Sequence, residues 1–370
     1  MAGRGYARPE VEATYERARV LCNVLGDSSR LGLALTGLAT FYSNRGEVER
    51  GRELGARVLA AAEQSGDREQ ALEGHFQVGF PEHFQGKFAS SLAHCEAVRP
   101  LYDSERHYAL VSVLAIDPGV AALGYAAWNL WQLGWPDRAL ARAREAVVLA
   151  HELGHLFSLG QALLFETCVH WLRRDVTATR EGAAKTIALG EAYDGLALFV
   201  GLGRTFHAAT PIAGREPVVA DVLTGFALAA KTANQLGASL CYGLLGEVYV
   251  ATGQLADARR AVETGLAVAA QAGGAFWDAD LHRLQGEIVL ATGGTPANAA
   301  TLFHRALGIA RAQQAKSFEL RAATSLARLL RDQGRAVEAR DLLAPLYGWF
   351  TEGFDTRDLR EAKALLEELA

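Results

Sequence analysis

Six glycines punctuate this chain at nearly regular intervals, and their spacing limits its possible folds more than any other feature. Gly46, Gly86, Gly134, Gly253, Gly293 and Gly334 each close an apolar helical pattern, at intervals of 40, 48, 119, 40 and 41 residues. The long interval holds close to three periods. Glycine enters the left-handed conformation at a helix C-terminus without steric cost, so each position marks the turn of a helical hairpin. Seven residues before these glycines stand Ala39, Gly79, Ala127, Gly246, Gly286 and Ala327. Five residues after stand Gly51, Ser91, Ala139, Ala258 and Ala339, with Ala299 displaced by one through the turn at Gly293 to Pro296. Antiparallel helices that cross closely need small residues at the crossing and large ones on its flanks. Cys168 and Gly203 hold the matching places inside the long interval and complete eight hairpins, the fifth, around Thr210 to Pro217, departing furthest from the pattern. No period-two alternation announces a strand. The expected architecture is an all-α solenoid of about eight antiparallel helix pairs over residues 1–370.

The unit running from Tyr242 through Leu244, Leu245, Gly246, Tyr249 and Gly253 to Ala258 resembles the tetratricopeptide repeat, with its aromatic, Leu-Gly, aromatic and later Ala in order. The resemblance implies a right-handed superhelix. A period near 40 residues exceeds the roughly 34 of the standard repeat, so each helix is about one turn longer. Such elongated repeats are similar to those of large bacterial signalling regulators. Residues Lys316 to Ala370, including Glu319-Leu-Arg-Ala-Ala-Thr-Ser-Leu-Ala-Arg and Tyr347-Gly-Trp-Phe-Thr-Glu-Gly-Phe-Asp-Thr, resemble the C-terminal end of bacterial multidomain proteins related to adenylate and guanylate cyclases. The segment Asp117-Pro-Gly-Val with Tyr125, Trp128, Trp131 and Pro136-Asp-Arg-Ala is similar to that family too. There, a cyclase or other output domain precedes a signalling NTPase and a long repeat region. The resemblance implies the sensor region of a larger signalling NTPase or nucleotide cyclase, with the catalytic domains absent.

At the ends, Pro9 suits a first helical position, and its helix reads as a second helix without its first. Residues 1–30 are therefore expected to form the unpaired leading helix of a truncated repeat, and residues 355–370 a capping helix. The cap would turn Leu359, Ala362, Leu366 and Leu369 inward, with Asp355 as N-cap and Asp358 in its first turn.

Charge and cysteine usage narrow the functions. A net charge of -5, with both signs mixed along the chain, provides no basic stripe for nucleic acid. Cys22, Cys95, Cys168 and Cys241 stand far apart in apolar stretches, as buried thiols of a reducing compartment do. No run approaches the roughly 18 apolar residues of a membrane span, so a cytoplasmic protein is expected.

The sharpest enzymatic motif is His151-Glu152-Leu-Gly-His155, an H-E-x-x-H that would make a zinc-dependent hydrolase. That chemistry needs both imidazoles on one helical face, and Gly154 is expected to end the helix between them. The segment Gly182-Ala-Ala-Lys185-Thr186 lacks the second glycine of a phosphate loop. His75, His83 and His94 cluster in sequence but read as packed or solvated. No catalytic residues and no cofactor are expected, and a scaffold that binds is the favoured function, with the hydrolase as alternative.

In tetratricopeptide arrays the first helix of each pair lines the concave face. Applied here, that resemblance selects Phe76, Phe80, His83, Trp128, Trp131, Arg204, His207, Glu247, Arg283, Glu287, Arg328 and Arg331. They would form a groove, aromatic toward the N-terminus and charged toward the C-terminus, for a protein segment or a small-molecule inducer. The competing reading is that longer helices narrow the superhelix and bury the two tryptophans.

Overall fold

The computed structural model describes residues 9–111, 116–193, 196–210, 217–230 and 236–370. Helix α1 (Pro9–Leu25) leads into α2 (Ser28–Asn44) paired with α3 (Val48–Ser65), and α4 (Arg68–Phe84) paired with α5 (Phe88–Val98). A connection carrying the short α6 (Ser104–His107) follows, and accounts for the longer interval before Gly134. Then come α7 (Pro118–Gln132) with α8 (Pro136–Leu153), α9 (Leu156–Leu172) with α10 (Val176–Ala192), and α11 (Ala197–Ala209) with α12 (Val219–Ala230). The last hairpins are α13 (Ala238–Ala251) with α14 (Leu255–Ala272), α15 (Asp278–Ala291) with α16 (Pro296–Ala312), and α17 (Lys316–Asp332) with α18 (Ala336–Tyr347). Helix α19 (Arg357–Glu368) completes an all-α chain of eight hairpins without a strand among the described residues. The most divergent stretch of the fifth hairpin, 211–216, lies outside the described residues.

Local chemistry accounts for the hairpins. All six punctuating glycines have φ between 71° and 95°, the left-handed turn that ends a helix. The crossing residues are buried: Ala39, Ala127, Ala139, Ala258, Ala299, Ala327 and Ala339 are each 0% exposed. At the second crossing the Ser91 hydroxyl donates to the Gly79 carbonyl at 2.7 Å, and a Cβ on Gly79 would come within 2.8 Å of His94.

The superhelix closes on itself. The last carbonyls of a helix have no intrahelical donor, and in three first helices such a carbonyl accepts from a donor far along the chain. Phe84 of α4 accepts from the N–H groups of Ala275 and Phe276 at 2.8 and 3.1 Å. The carbonyl of Trp131 in α7 accepts from the Ser317 hydroxyl, and that of Leu172 in α9 from Arg321 Nη2 at 2.8 Å. Rings fill the space between. Phe84 meets Phe276 at 5.1 Å, Trp131 meets Phe318 at 5.5 Å and Trp171 stacks on Trp277 at 5.8 Å. Aromatic pairs at these separations add to the area they bury.

The segment before α19 clamps the closure. Glu352 Oε1 accepts from the N–H groups of Asp137 and Arg138 at 2.9 and 3.0 Å, so it caps α8 from across the molecule. Asp355 does not cap α19 as expected: Thr356 precedes the helix, and Asp355 instead binds Arg173 at 3.2 Å. A guanidinium bond satisfies both carboxylate oxygens, which a cap would not. Helix α19 turns Leu359, Ala362 and Leu365 inward, with Leu369 buried at its C-cap, and leaves the expected Leu366 half-buried. At the other end α1 packs on α2, and the Tyr42 hydroxyl donates to Glu12 at 2.7 Å. Val24 and Leu25 stay 78% and 74% exposed.

Candidate ligand pocket

Closure separates the groove residues into two groups. Phe76, Phe80, His83 and Trp131 are between 1% and 7% exposed and belong to the core, because the concave face of the second to fourth hairpins is covered by the seventh and eighth. They do not line an open groove. Trp128 is half-buried and donates from Nε1 to the Phe165 carbonyl at 3.3 Å. His83 Nδ1 bonds Asn129 Oδ1 at 2.8 Å inside a ring of Phe84, Phe88, Tyr125, Trp128 and Phe276. Burial there pushes its imidazole down to about 4, so it is neutral. Arg204 is exposed and pairs with Glu191 at 2.7 Å, His207 lies against Arg180 at 3.0 Å, and Arg331 bonds Glu368 and Asp332.

The other four come together. Glu247 of α13, Arg283 and Glu287 of α15 and Arg328 of α17 line a cavity of about 290 Å³ on the inner side of the last three hairpins. Arg174, Arg321, Arg357, Asp358 and Glu361 complete its charged wall. Glu247 takes two bonds from Arg174, at 2.7 and 2.6 Å, and a longer one of 3.4 Å from Arg283. Arg283 also bonds Asp280 at 2.6 Å and Glu287 at 2.7 Å. Arg321 bonds Asp358 at 2.8 Å and lies over the Trp131 ring, 4.8 Å from its centre. Arg328 and Arg357 share the single carboxylate of Glu361, at 2.7 and 2.5 Å. Burial alone would raise the Asp280 carboxyl, but Arg283 and Arg321 outweigh it and hold it down to about 2. Burial opposes ionisation of Glu247 as well, and Arg174 reverses that effect.

A second cavity of about 180 Å³ adjoins the first and shares Arg174, Glu247, Ala251 and Arg357 with it. Its remaining wall is mostly apolar, with Trp171, Val176, Leu244 and Val248 prominent. Arg174 is thus central to both lobes. It has φ 60°, one of two non-glycine residues with positive φ among the described residues. It stands forty residues after Gly134, at the turn where the third and sixth hairpins carry Gly134 and Gly253. A non-glycine at a place whose backbone favours glycine is the signal by which the sequence marks this residue.

No family model matches the chain, and no curated protein matches it significantly. Solved structures do. The human IFIT1 dimer with m7Gppp-AAAA aligns over 97% of this chain and 77% of its own, with a TM-score of 0.50 and 14% identity. This is a tetratricopeptide-type solenoid. A tetratricopeptide repeat protein from Parabacteroides merdae aligns over 78% of this chain and 97% of its own at a TM-score of 0.39 and 15% identity. A signal transduction ATPase with a tetratricopeptide repeat sensor, from Pyrococcus horikoshii, aligns over 98% of this chain and 55% of its own, with a TM-score of 0.42 and 13% identity. At these identities the likeness concerns the fold alone.

The geometry also separates the H-E-x-x-H residues. Helix α8 ends at Leu153 and Gly154 takes φ 65°, while His155 caps the next helix through Ser158. His151 and His155 therefore do not share a helical face. Lys185 and Thr186 lie within α10, away from any phosphate loop. His75 and His94 approach to 2.9 Å between ring nitrogens, and no group of three or more metal-binding side chains occurs among the described residues. The four cysteines are free and buried. None of the described helices is long and apolar enough to cross a membrane.

Proposed function

We propose that this chain is a ligand-sensing interaction scaffold, and that its ligand occupies the two-lobed pocket. The observation that carries the reading is closure: aromatic core fills most of the concave face beside the second to fourth hairpins, whereas one cavity stays on the inner side of the last three and a second adjoins it between the fourth and sixth. An extended protein segment laid along the whole groove is disfavoured by this arrangement, and a small-molecule inducer or a single inserted side chain is favoured. A network of buried arginines and carboxylates is costly to desolvate, and packed apolar residues would hold the same elements together as well or better. Its retention suits a binding role. The resemblance of Lys316 to Ala370 to cyclase-related proteins supports the finer reading, that the scaffold is the sensor region of a larger cytoplasmic signalling NTPase.

Native mass spectrometry of the full chain, incubated with deproteinised cell extract, tests the pocket. The comparison is Ala251→Trp, which fills the wall common to both lobes at an exposed position. A small-molecule adduct on the parent that disappears in the variant is expected. Adducts on both proteins alike, or on neither, refute the reading.

A further inference from the structure

Resting on the pocket reading, we infer that the ligand is a small amphipathic anion: a carboxylate or phosphate monoester on an apolar body. The carboxylates of the charged lobe are already committed to its cations. Each of its carboxylates is engaged, Glu247 by Arg174 and Arg283, Glu287 by Arg283 and Ser325, Asp358 by Arg321, and Glu361 by Arg328 and Arg357. The guanidinium groups are not saturated. Arg328 and Arg357 each donate to a carboxylate through a single nitrogen, although a guanidinium carries five N–H donors. Deeper in, the Arg321 side chain is only 5% exposed, and its buried Nη1 has no hydrogen-bond partner. An orphaned donor of this kind is costly. Asp280 stands behind Arg283 and balances the total charge, so the attraction for an anion is local, at the mouth where two guanidinium groups share one carboxylate. An anionic head can bind there in the forked geometry that arginine favours.

The second lobe specifies the rest of the ligand. Trp171, Leu244 and Val248 face a space continuous with the charged lobe through Arg174 and Arg357. A molecule whose head meets Arg328 and Arg357 lays its body against these apolar walls. A bare anion fills only half the site, and a neutral amphiphile leaves the donors unmet.

Calorimetry of the full chain with 4-phenylbutyrate, 4-phenylbutanol and inorganic phosphate tests this, beside Ala251→Trp and the double variant Arg328→Met/Arg357→Met. Both arginines are at least 42% exposed on their side chains, so the double variant is expected to fold, and an unchanged melting temperature verifies it. The acid should bind at least tenfold more tightly than the alcohol and than phosphate. It should lose about tenfold in the double variant and all binding in Ala251→Trp. Equal binding of alcohol and acid, both abolished by Ala251→Trp, overturns the anionic class and leaves the pocket intact. Phosphate binding as tightly as the acid overturns the amphipathic class. If none of the three binds while the extract adduct persists, the ligand belongs to another class. If that adduct is missing too, the pocket reading falls with it.

Discussion

Replacing Glu73 by glutamine should stabilise the protein at alkaline pH and leave it nearly unchanged at acid pH. Glu73 is 1% exposed in α4, and its Oε2 accepts from the Thr36 hydroxyl at 2.8 Å. Burial raises its carboxyl from an ordinary 4.5 to about 7, against the lowering effect of the Thr36 bond and with smaller help from the charges of Glu69 and Asp67. The folded protein therefore keeps this proton up to about pH 7, while the unfolded chain releases it near 4.5. Between those values the folded state binds more protons, so stability falls as the pH rises through the window. A tenfold difference in proton affinity between the two states is worth about 1.4 kcal/mol, which makes the full loss about 3 kcal/mol above about pH 8. Glutamine has nearly the shape of the protonated side chain and carries no charge at any pH. Urea unfolding at pH 5 and pH 8 gives the comparison: the variant should match the parent within about 1 kcal/mol at pH 5 and exceed it by about 3 kcal/mol at pH 8. Parallel stability profiles for the two proteins would refute the assignment of a buried neutral carboxyl.

Two further perturbations address the closure. Trp131→Ala removes a side chain 2% exposed, packed on Phe318 and supporting Arg321; a cost of about 3–5 kcal/mol is expected. A melting temperature equal to the parent's would show instead that Trp131 lies in an open groove. Ending the chain at Thr351 removes Glu352, the cap of α8, together with α19 and the Arg357, Asp358 and Glu361 wall of the pocket. Lower solubility, a lower melting temperature and loss of 4-phenylbutyrate binding are expected together, and an unchanged melt would count against α19 as a cap.

Much of the local architecture is written in the order of residues. The left-handed turns at Gly46, Gly86, Gly134, Gly253, Gly293 and Gly334, and the small crossing residues from Ala39 to Ala339, follow from steric rules between near neighbours. So does the break at Gly154 that parts His151 from His155. That Glu247, Arg283, Glu287 and Arg328 lie on one cavity wall has a signal in the sequence too, because equivalent positions on successive first helices share one face of the stack.

Tertiary structure decided which part of that face stays open. A local repeat pattern states how one hairpin sits on the next, but small rotations accumulate over many hairpins, and the residue order does not show where the superhelix meets itself. The bonds from Ala275 to Phe84, Ser317 to Trp131 and Arg321 to Leu172 place that meeting. They bury Phe76, Phe80, His83 and Trp131, whose offsets within their helices are those of groove residues. Closure likewise brings Arg174, from a turn, against Glu247, 73 residues away. Periodicity determines which residues face the axis of a solenoid, while its curvature determines whether that axis holds solvent, core or ligand.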